Sequence, residues 1–419
     1  MSRSHENTPR AAKVEQAALR SSDDGANLAG EGAPAGKASP GVARLRFDRG
    51  EFSGAFGDLG TDLPLLLGMI LAAKLDAASV LTVFGAMQIL TALRYRMPMP
   101  VQPLKAMAAL VIAQQLPAEV LYGGGLAIGV VMLVLSLTGL IDWIARIVPK
   151  AVVRGIQLGL GLQLADIALG NYVQSDGPPG WMLAAAGFVL TILYQGRRGV
   201  PTAVILVLAG AAYALAFKLD AAVLWRSAGV ALPAVRLPAW SDVWTGFLIL
   251  SLPQIPLSIA NSVLATRQVA EDFFPERRLS VRRISLTYSV MNLLNPFFSG
   301  VPTCHGSGGI AGHYAFGGRT GGSVVVYGSL YILLGLFFSA GFDRVIEVFP
   351  LPVLGVLLLF EALALMALVR DLGGDRPQFV IACIVGLAAV NLPYGYLVGL
   401  VVGTVIHRLI ERRVINLEK

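Results

Sequence analysis

The segment from Pro296 to Arg319 places the strongest constraint on how this chain can fold. It reads PFFSGVPTCHGSGGIAGHYAFGGR, lies between two long apolar runs, and contains seven glycines, two histidines and a cysteine. Irregular, glycine-rich backbone at membrane depth is tolerated only where protein buries it or where it lines a cavity. The segment from Met97 to Met107, MPMPVQPLKAM, interrupts the first half of the chain in a similar way. Two interrupted segments in corresponding halves of a chain indicate the binding site of a transporter.

Composition identifies an integral membrane protein. Hydrophobic residues make up 55% of the 419 residues and charged residues only 14%, whereas a soluble domain carries about 25% charged residues. The net charge of +7 is spread over short loops between apolar runs, which is typical of membrane topology and not of a groove for nucleic acid. We therefore expect a lipid bilayer around the protein and no nucleic-acid partner.

The sequence contains no convincing signature of an enzyme, a cofactor or a metal site. A P-loop, a nucleotide fingerprint and a nucleophile elbow are all missing. Cys304 and Cys383 give neither zinc spacing nor a disulfide framework. The one candidate pair of base and nucleophile is His305 with Ser307, and residues two apart in a helix do not face each other. We expect a protein that is not an enzyme and needs no cofactor.

The apolar runs divide the chain into two similar halves. Residues 1–46, rich in Ala, Gly, Ser and charge, predict a disordered cytoplasmic tail. Residues 47–218 and 243–411 each contain seven apolar segments, most of them close to the ~20 residues that span a bilayer. A polar linker, 219–242, joins the halves, and a short cytoplasmic tail, 412–419, follows. Because seven is odd, the second half enters the membrane in the opposite sense, which predicts an all-α membrane protein of about fourteen segments in a 7+7 inverted repeat.

Loop charges predict which side of the membrane the termini face. Loops after even-numbered segments, with Arg154 counted among them, carry eighteen Lys and Arg, and loops after odd-numbered segments carry five. The N-terminal residues before the first apolar segment, up to and including Arg49, add eight more to the even side. The positive-inside rule places that side, and both termini, in the cytoplasm. The expected location is the inner (plasma) membrane of a bacterium.

Segments three and ten are predicted to be short half-helices that follow extended backbone. They cover about residues 100–116 and 304–318. Proline lacks the N–H that a helix interior needs, so each helix is expected to begin only after its prolines. Those prolines are Pro98, Pro100 and Pro103 before segment three, and Pro296 and Pro302 before segment ten. Two helix N-termini then converge near the membrane midplane, where their unpaired N–H groups and dipoles form an anion site.

Lys105 is the only basic residue that the sequence places inside a predicted membrane segment and away from its ends. A charge there is costly and indicates function. Contact with an anion is one interpretation, an ion pair with Asp58 or Asp62 is the other, and both can hold together. Asp58 and Asp62 are four residues apart on one helical face. They are candidates either for carrying protons and stabilising Lys105, or for capping the first helix near the membrane surface.

The start of segment ten and one face of segment eight are the other expected parts of the site. Glycines at the start of segment ten let a ligand approach backbone N–H groups, although a tight helix–helix contact is the alternative. Segment eight has a polar face without a carboxylate, which suits an anion. The expected substrate-binding residues are Gln102, Lys105, Ala106, Gln254, Ser258, Asn261, Cys304, His305, Gly306, Ser307, Gly308 and Gly309. The coupling or ion-pair candidates are Asp58, Asp62, His313 and Glu361. His313 is alternatively a packing or hydrogen-bonding residue, and Glu361 alternatively makes a structural hydrogen bond.

Four motifs carry a resemblance to a known family. They are FGDLGTDLP at Phe56–Pro64, PVQPLKA at Pro100–Ala106, LPQIPLS at Leu252–Ser258, and CHGSGG at Cys304–Gly309 with GHY at Gly312–Tyr314. With them the sequence resembles, over roughly residues 47–415, the molybdate transporter family related to the SulP sulfate permeases. SulP permeases usually end in a STAS domain, and we expect none here, in agreement with the molybdate branch. Nucleobase carriers of the same fold use a carboxylate on segment eight, which this sequence lacks.

The resemblance implies a core domain of segments 1–4 and 8–11, a gate domain of segments 5–7 and 12–14, and an elevator-like movement of one against the other. We expect a secondary transporter that imports a tetrahedral oxyanion, molybdate first and sulfate second. Moving a dianion into a negative cytoplasm opposes the potential by about 2.3 kcal/mol per charge per 100 mV, so co-transported protons are expected. A general anion carrier, an anion sensor and an intramembrane enzyme are the alternatives. Apolar surface on the gate domain makes a homodimer a further possibility.

Overall fold

The computed structural model describes residues 44–141, 143, 147–194, 202–217 and 229–414. The predicted N-terminal tail lies outside these residues except for its last three positions. Parts of the predicted linker (219–228) and of the predicted C-terminal tail (415–419) also lie outside them. The same holds for five of the counted loop charges, Arg146, Arg197, Arg198, Lys218 and Arg226.

Helices form most of the described chain, since its long apolar runs hold few residues that interrupt helix hydrogen bonding. Those of the first half are α1 (Arg49–Gly54), α2 (Leu59–Ala73), α3 (Ala77–Tyr95), α4 (Lys105–Gln114), α5 (Ala118–Thr138), α6 (Lys150–Ile167), α7 (Gly177–Tyr194) and α8 (Thr202–Phe217). Those of the second half are α9 (Trp240–Phe273), α10 (Val281–Leu294), α11 (Ser307–Ala315), α12 (Gly322–Val348), α13 (Leu351–Ala367), α14 (Arg376–Asn391) and α15 (Gly395–Glu411). A π-helical turn extends α6 to Tyr172, and a 3-10 turn extends α13 to Leu372.

Six helices in the described part of the chain are long and apolar enough to cross a membrane: α3, α5, α6, α7, α9 and α13. Large apolar side chains point outward from several of the helices, for example Val189 and Ile192 on α7 and Val401 and Val405 on α15. Exposed apolar faces of this kind suit a lipid environment. The prediction of a helical membrane protein is confirmed at this level.

Two short strands pair in the interior, so the fold is not entirely α-helical as predicted. β1 (Val101–Pro103) runs antiparallel to β2 (Thr303–His305), with Gln102 opposite Cys304. Both strands are fully buried. They are the extended stretches that the prolines predicted, and pairing satisfies backbone groups that could not find water in an apolar interior. Each strand leads into a short helix, α4 of 10 residues and α11 of 9 residues.

A side-chain amide holds each strand on its other edge. Gln88 on α3 donates from Nε2 to the Val101 carbonyl (2.6 Å) and accepts from the Val101 N–H (2.8 Å). Asn292 on α10 makes the same pair of bonds with Thr303, at 2.6 and 2.9 Å. Both amides are fully buried. The two halves of the chain therefore fix their strands in the same way.

The paired strands contact α2, α3, α9 and α10. α3 packs along α12, and α5 packs against α9 and α10. α6 packs against α13 and α14, while α4 lies between α2 and α6. The N-termini of α4 and α11 consequently open into a space bordered by α2, α6, α9 and α13.

Candidate functional site

A cavity of about 280 Å³, here called the central cavity, lies at the starts of α4 and α11. Ligand pockets usually span about 300–1,000 Å³, so its volume suits a small ligand. Its wall consists of Thr61, Gln102, Lys105, Arg154, Gln157, Leu160, Gln254, Leu257, Asn261, Ser262, Cys304, His305, Gly306, Ser307, Gly308, Leu365 and Leu368. Another cavity of about 270 Å³, near Gln114 and Tyr396, contains none of the predicted binding residues.

The wall of the central cavity is positively charged. Lys105 and Arg154 both line it, and no Asp or Glu occurs among the described residues of the wall. The other polar groups are neutral amides, hydroxyls, a thiol and a buried imidazole. A cavity with cations and neutral donors but no carboxylate is suited to an anion.

Lys105 forms an ion pair with Glu361 on α13, with 2.7 Å between Nζ and Oε1. The expectation that Lys105 pairs with Asp58 or Asp62 was therefore wrong. Another of the ion-pair candidates, Glu361, takes their place. Asp58 instead accepts a hydrogen bond from Gln102 Nε2 (2.6 Å), and Asp62 accepts one from the Tyr327 hydroxyl (3.0 Å). Glu361 is 9% exposed and does not belong to the wall. Lys105 thus lines the cavity while its counter-charge does not.

The N-terminus of α11 opens into the cavity. Gly306 is the N-cap residue and the helix begins at Ser307. The first N–H groups of a helix have no partner within it and carry part of the positive end of its dipole. A Cβ at Gly308 would have no atom within 4 Å, whereas one at Gly306 would lie 1.9 Å from Gln102 Oε1. Gly308 therefore borders open space, whereas Gly306 permits close packing against Gln102.

The N-terminus of α4 is occupied by a side chain, contrary to the prediction that its N–H groups receive a substrate oxygen. Gln254 Oε1 accepts from the N–H groups of Ala106 (3.0 Å) and Met107 (3.3 Å). Gln254 Nε2 donates to Ser258 Oγ (3.1 Å), which also contacts the Tyr288 hydroxyl (2.7 Å). Ala106 and Ser258 consequently lie behind the wall.

The two histidines occupy different surroundings. His305 was expected at the start of the helix, but it is the last residue of β2. Its Nε2 lies 2.7 Å from Thr287 Oγ1, and the ring also lines the cavity. His313 is buried outside the wall, with Nδ1 3.0 Å from Ser323 Oγ. Gly309 is likewise outside the wall and packs closely against Asp58, since a Cβ at Gly309 would lie 2.4 Å from Asp58 Oδ2.

The structure brings nine of the twelve predicted binding residues to one cavity wall. They are Gln102, Lys105, Gln254, Asn261, Cys304, His305, Gly306, Ser307 and Gly308. Four polar residues of the wall were not among the predicted binding residues: Thr61, Ser262, Arg154 and Gln157. The last two are the most important of these. Arg154 had been counted as a loop charge, but it lies one turn inside α6. The available signal was an Arg and a Gln three residues apart, which share one face of an apolar helix.

The fold has a counterpart among solved structures. The transmembrane domain of a cyanobacterium bicarbonate transporter, BicA, is 16% identical and superposes with a TM-score of 0.63, over 87% of this chain and 99% of that one. This likeness shows the fold, which is that of a helical membrane protein.

Sequence comparison then gives the family. The model described as "Molybdate transporter of MFS superfamily" matches residues 50–164 and 246–365, more than half of the chain. Molybdate transporter 1 of Arabidopsis thaliana is 32% identical, covering 87% of this chain and 88% of the relative. Molybdate transporter 2 of the same plant is 33% identical, covering 79% and 81%. The chain belongs to the molybdate transporter family, whose named members are transporters and not enzymes.

Proposed function

We propose that this protein imports a tetrahedral oxyanion, with molybdate as the first substrate and sulfate as the second. The observation that carries the proposal is the wall of the central cavity, where two cations and the N-terminus of α11 meet without a carboxylate among the described residues. Relatives named as molybdate transporters favour molybdate within this class of anions. Sulfate has the same charge and shape, so the same donors also suit it.

In the proposed binding mode the N–H groups around Ser307 and Gly308 donate to the oxyanion. Lys105 supplies a positive charge, while Gln102, Asn261 and Ser307 add neutral donors at the wall. Gln254 acts indirectly, since its carbonyl oxygen already caps α4. Hydrogen bonds to a charged acceptor are roughly twice as strong as neutral ones, so several of them would hold a dianion against its hydration.

The proposed mechanism is an elevator movement of the core domain (segments 1–4 and 8–11) against the gate domain (segments 5–7 and 12–14), within about fourteen segments arranged as a 7+7 inverted repeat. The helix packing supports this division. α3 with α12, and α5 with α10, pair within the proposed core, whereas α6 with α14 pairs within the proposed gate. The first two pairs also correspond to each other under the proposed repeat. The short helices α4 and α11 take the place of the half-helices of segments three and ten.

Proton coupling is proposed to depend on the pair between Lys105 and Glu361. An anion and Glu361 compete for the Lys105 ammonium, and protonation of Glu361 removes that competition. Anion and proton would then bind together, which gives the proton gradient a means of driving uptake of a dianion against the membrane potential. Asp58, Asp62 and His313 are buried outside the wall and are secondary candidates for carrying protons.

The proposed setting is the inner membrane of a bacterium, with both termini in the cytoplasm. A homodimer through the apolar surface of the gate domain belongs to the same proposal. These points rest on the distribution of loop charges and on apolar surface, and the site described above does not depend on them.

Lys105→Ala is expected to abolish uptake or to reduce it by more than tenfold, because the described cavity wall loses one of its two cations and gains an apolar methyl group. Labelled molybdate uptake into proteoliposomes is the measurement, normalised to inserted protein. Lys74→Ala, at an exposed lysine outside the cavity wall, is the matched control. Wild-type uptake by well-inserted Lys105→Ala protein would remove Lys105 from the proposed site.

A further inference from the structure

We infer that Arg154 and Gln157 on α6 form a second half of the oxyanion site, which binds the same anion as Lys105 and the N-terminus of α11. The inference rests on the proposed function and adds binding residues from a helix that contributes none of the other donors. In the proposed division, α6 belongs to the gate domain, so the anion would be held from both domains.

The two side chains are joined and leave two donors free. Arg154 Nη1 donates to Gln157 Oε1 (2.9 Å), and Nη2 binds the Asp371 carboxylate. Arg154 Nε and Gln157 Nε2 are buried and have no acceptor in the described part of the chain. Gln157 is only 1% exposed. One hydrogen bond links the side chains, so both unpaired donors belong to one connected pair of residues.

Unpaired buried donors at a cavity wall indicate a ligand with acceptor atoms. A buried donor without a partner costs about 1–3 kcal/mol, so such donors are normally satisfied. Both side chains line the central cavity. A guanidinium presents its N–H groups in a fixed fork that suits the oxygens of an oxyanion better than a single water does.

The surrounding charges hold the guanidinium in place and keep the carboxylates outside the described cavity wall. Asp371 lies outside the wall, is 36% exposed at its side chain, and also has Lys150 at 3.6 Å. It therefore orients Arg154 from outside while sharing its own charge with a second cation. Lys105 likewise has its carboxylate partner, Glu361, outside the wall. A second cation at the wall then explains how the site would favour a dianion over a monoanion.

The test is molybdate binding to the purified full-length protein by titration calorimetry, with thermal unfolding of every variant measured in parallel. Arg154→Gln is expected to weaken binding about tenfold or more, the loss of one charge-assisted contact. Arg154→Lys keeps the charge but lacks the fork, so its binding should fall between those of Arg154→Gln and the wild type. Gln157→Leu should weaken binding by a smaller factor. Arg267→Gln, at an arginine that forms an exposed i,i+4 pair outside the wall, should leave it unchanged.

Binding by folded Arg154→Gln within about twofold of the wild type would overturn the inference and leave the proposed function standing. If Arg154→Gln does not fold, Arg154→Lys and Gln157→Leu decide the matter, and wild-type affinity in both overturns it. A wild-type protein that binds no molybdate would remove the proposed function itself, and the inference with it.

Discussion

The glycines at the start of α11 differ in the reason for which each is needed. At Gly306 a Cβ would lie 1.9 Å from Gln102 Oε1, and at Gly309 one would lie 2.4 Å from Asp58 Oδ2. At Gly308 a Cβ would enter open space beside the exposed end of the helix. The sequence shows three similar glycines, and only the packing around them separates structural positions from one that borders the ligand space.

This difference predicts opposite effects for two matched substitutions. Gly306→Ala should lower the free energy of unfolding by about 1–3 kcal/mol, as overpacking of a dense interior does. Gly308→Ala should leave the unfolding temperature nearly unchanged and should reduce uptake, because its methyl group occupies the cavity. Thermal unfolding in detergent and molybdate uptake by the same preparations are the measurements. Equal destabilisation by both changes would contradict the assignment.

Residue types and helical spacing predict the members of the site better than they predict its contacts. Lys105, Gln102 and the Cys304–Gly308 stretch could be identified from a costly charge and from broken helices. The partner of Lys105 could not, because Glu361 is 256 residues away and the nearer Asp58 and Asp62 have other partners. Arg154 was missed because an arginine near the start of a membrane segment looks like an interfacial charge.

Among the elements, the paired strands and the amides that hold them determine where the two short helices begin. Gln88 and Asn292 each make two hydrogen bonds to a strand residue. Prolines made the extended stretches predictable from sequence. The pairing of these stretches could not be predicted from sequence, because β1 and β2 are about two hundred residues apart and their register depends on how the halves of the chain pack.

Asn292→Ala is expected to destabilise the protein strongly. It leaves the N–H and carbonyl of Thr303 without their side-chain partner, and each such buried group costs about 1–3 kcal/mol. Asn391→Ala is the matched control, since Asn391 is exposed at the end of α14 and its side chain donates to the Leu387 carbonyl of its own helix. The unfolding temperature in detergent measures both. An Asn292→Ala protein as stable as the control would show that the strand is held by other contacts.

For the whole molecule, composition and the count of apolar runs were sufficient to predict a helical membrane protein. Which helices pack together was beyond the sequence, because apolar faces of membrane helices are chemically alike and packing depends on shape. The structure adds that Lys105 on α4 and Glu361 on α13 join the proposed core and gate domains. A sliding core would break this pair in every transport cycle.

Glu361→Gln is therefore expected to make uptake independent of a pH gradient while molybdate binding is retained. The glutamine amide of this variant cannot take up a proton, so anion binding is no longer accompanied by binding of a proton. Proteoliposome uptake with and without an imposed gradient measures the coupling. Glu271→Gln, at an exposed pair with Arg267, is the control. Gradient dependence equal to that of the wild type would exclude Glu361 as the coupling residue.

Molybdate uptake by the wild-type protein in proteoliposomes tests the central claim most directly, with sulfate present in excess or absent and a pH gradient imposed or absent. We expect uptake that an inward proton gradient increases. Persistence in excess sulfate would establish selectivity for molybdate, and loss in excess sulfate would establish a general oxyanion carrier. Measurable binding without any flux would contradict transport and would indicate an anion sensor.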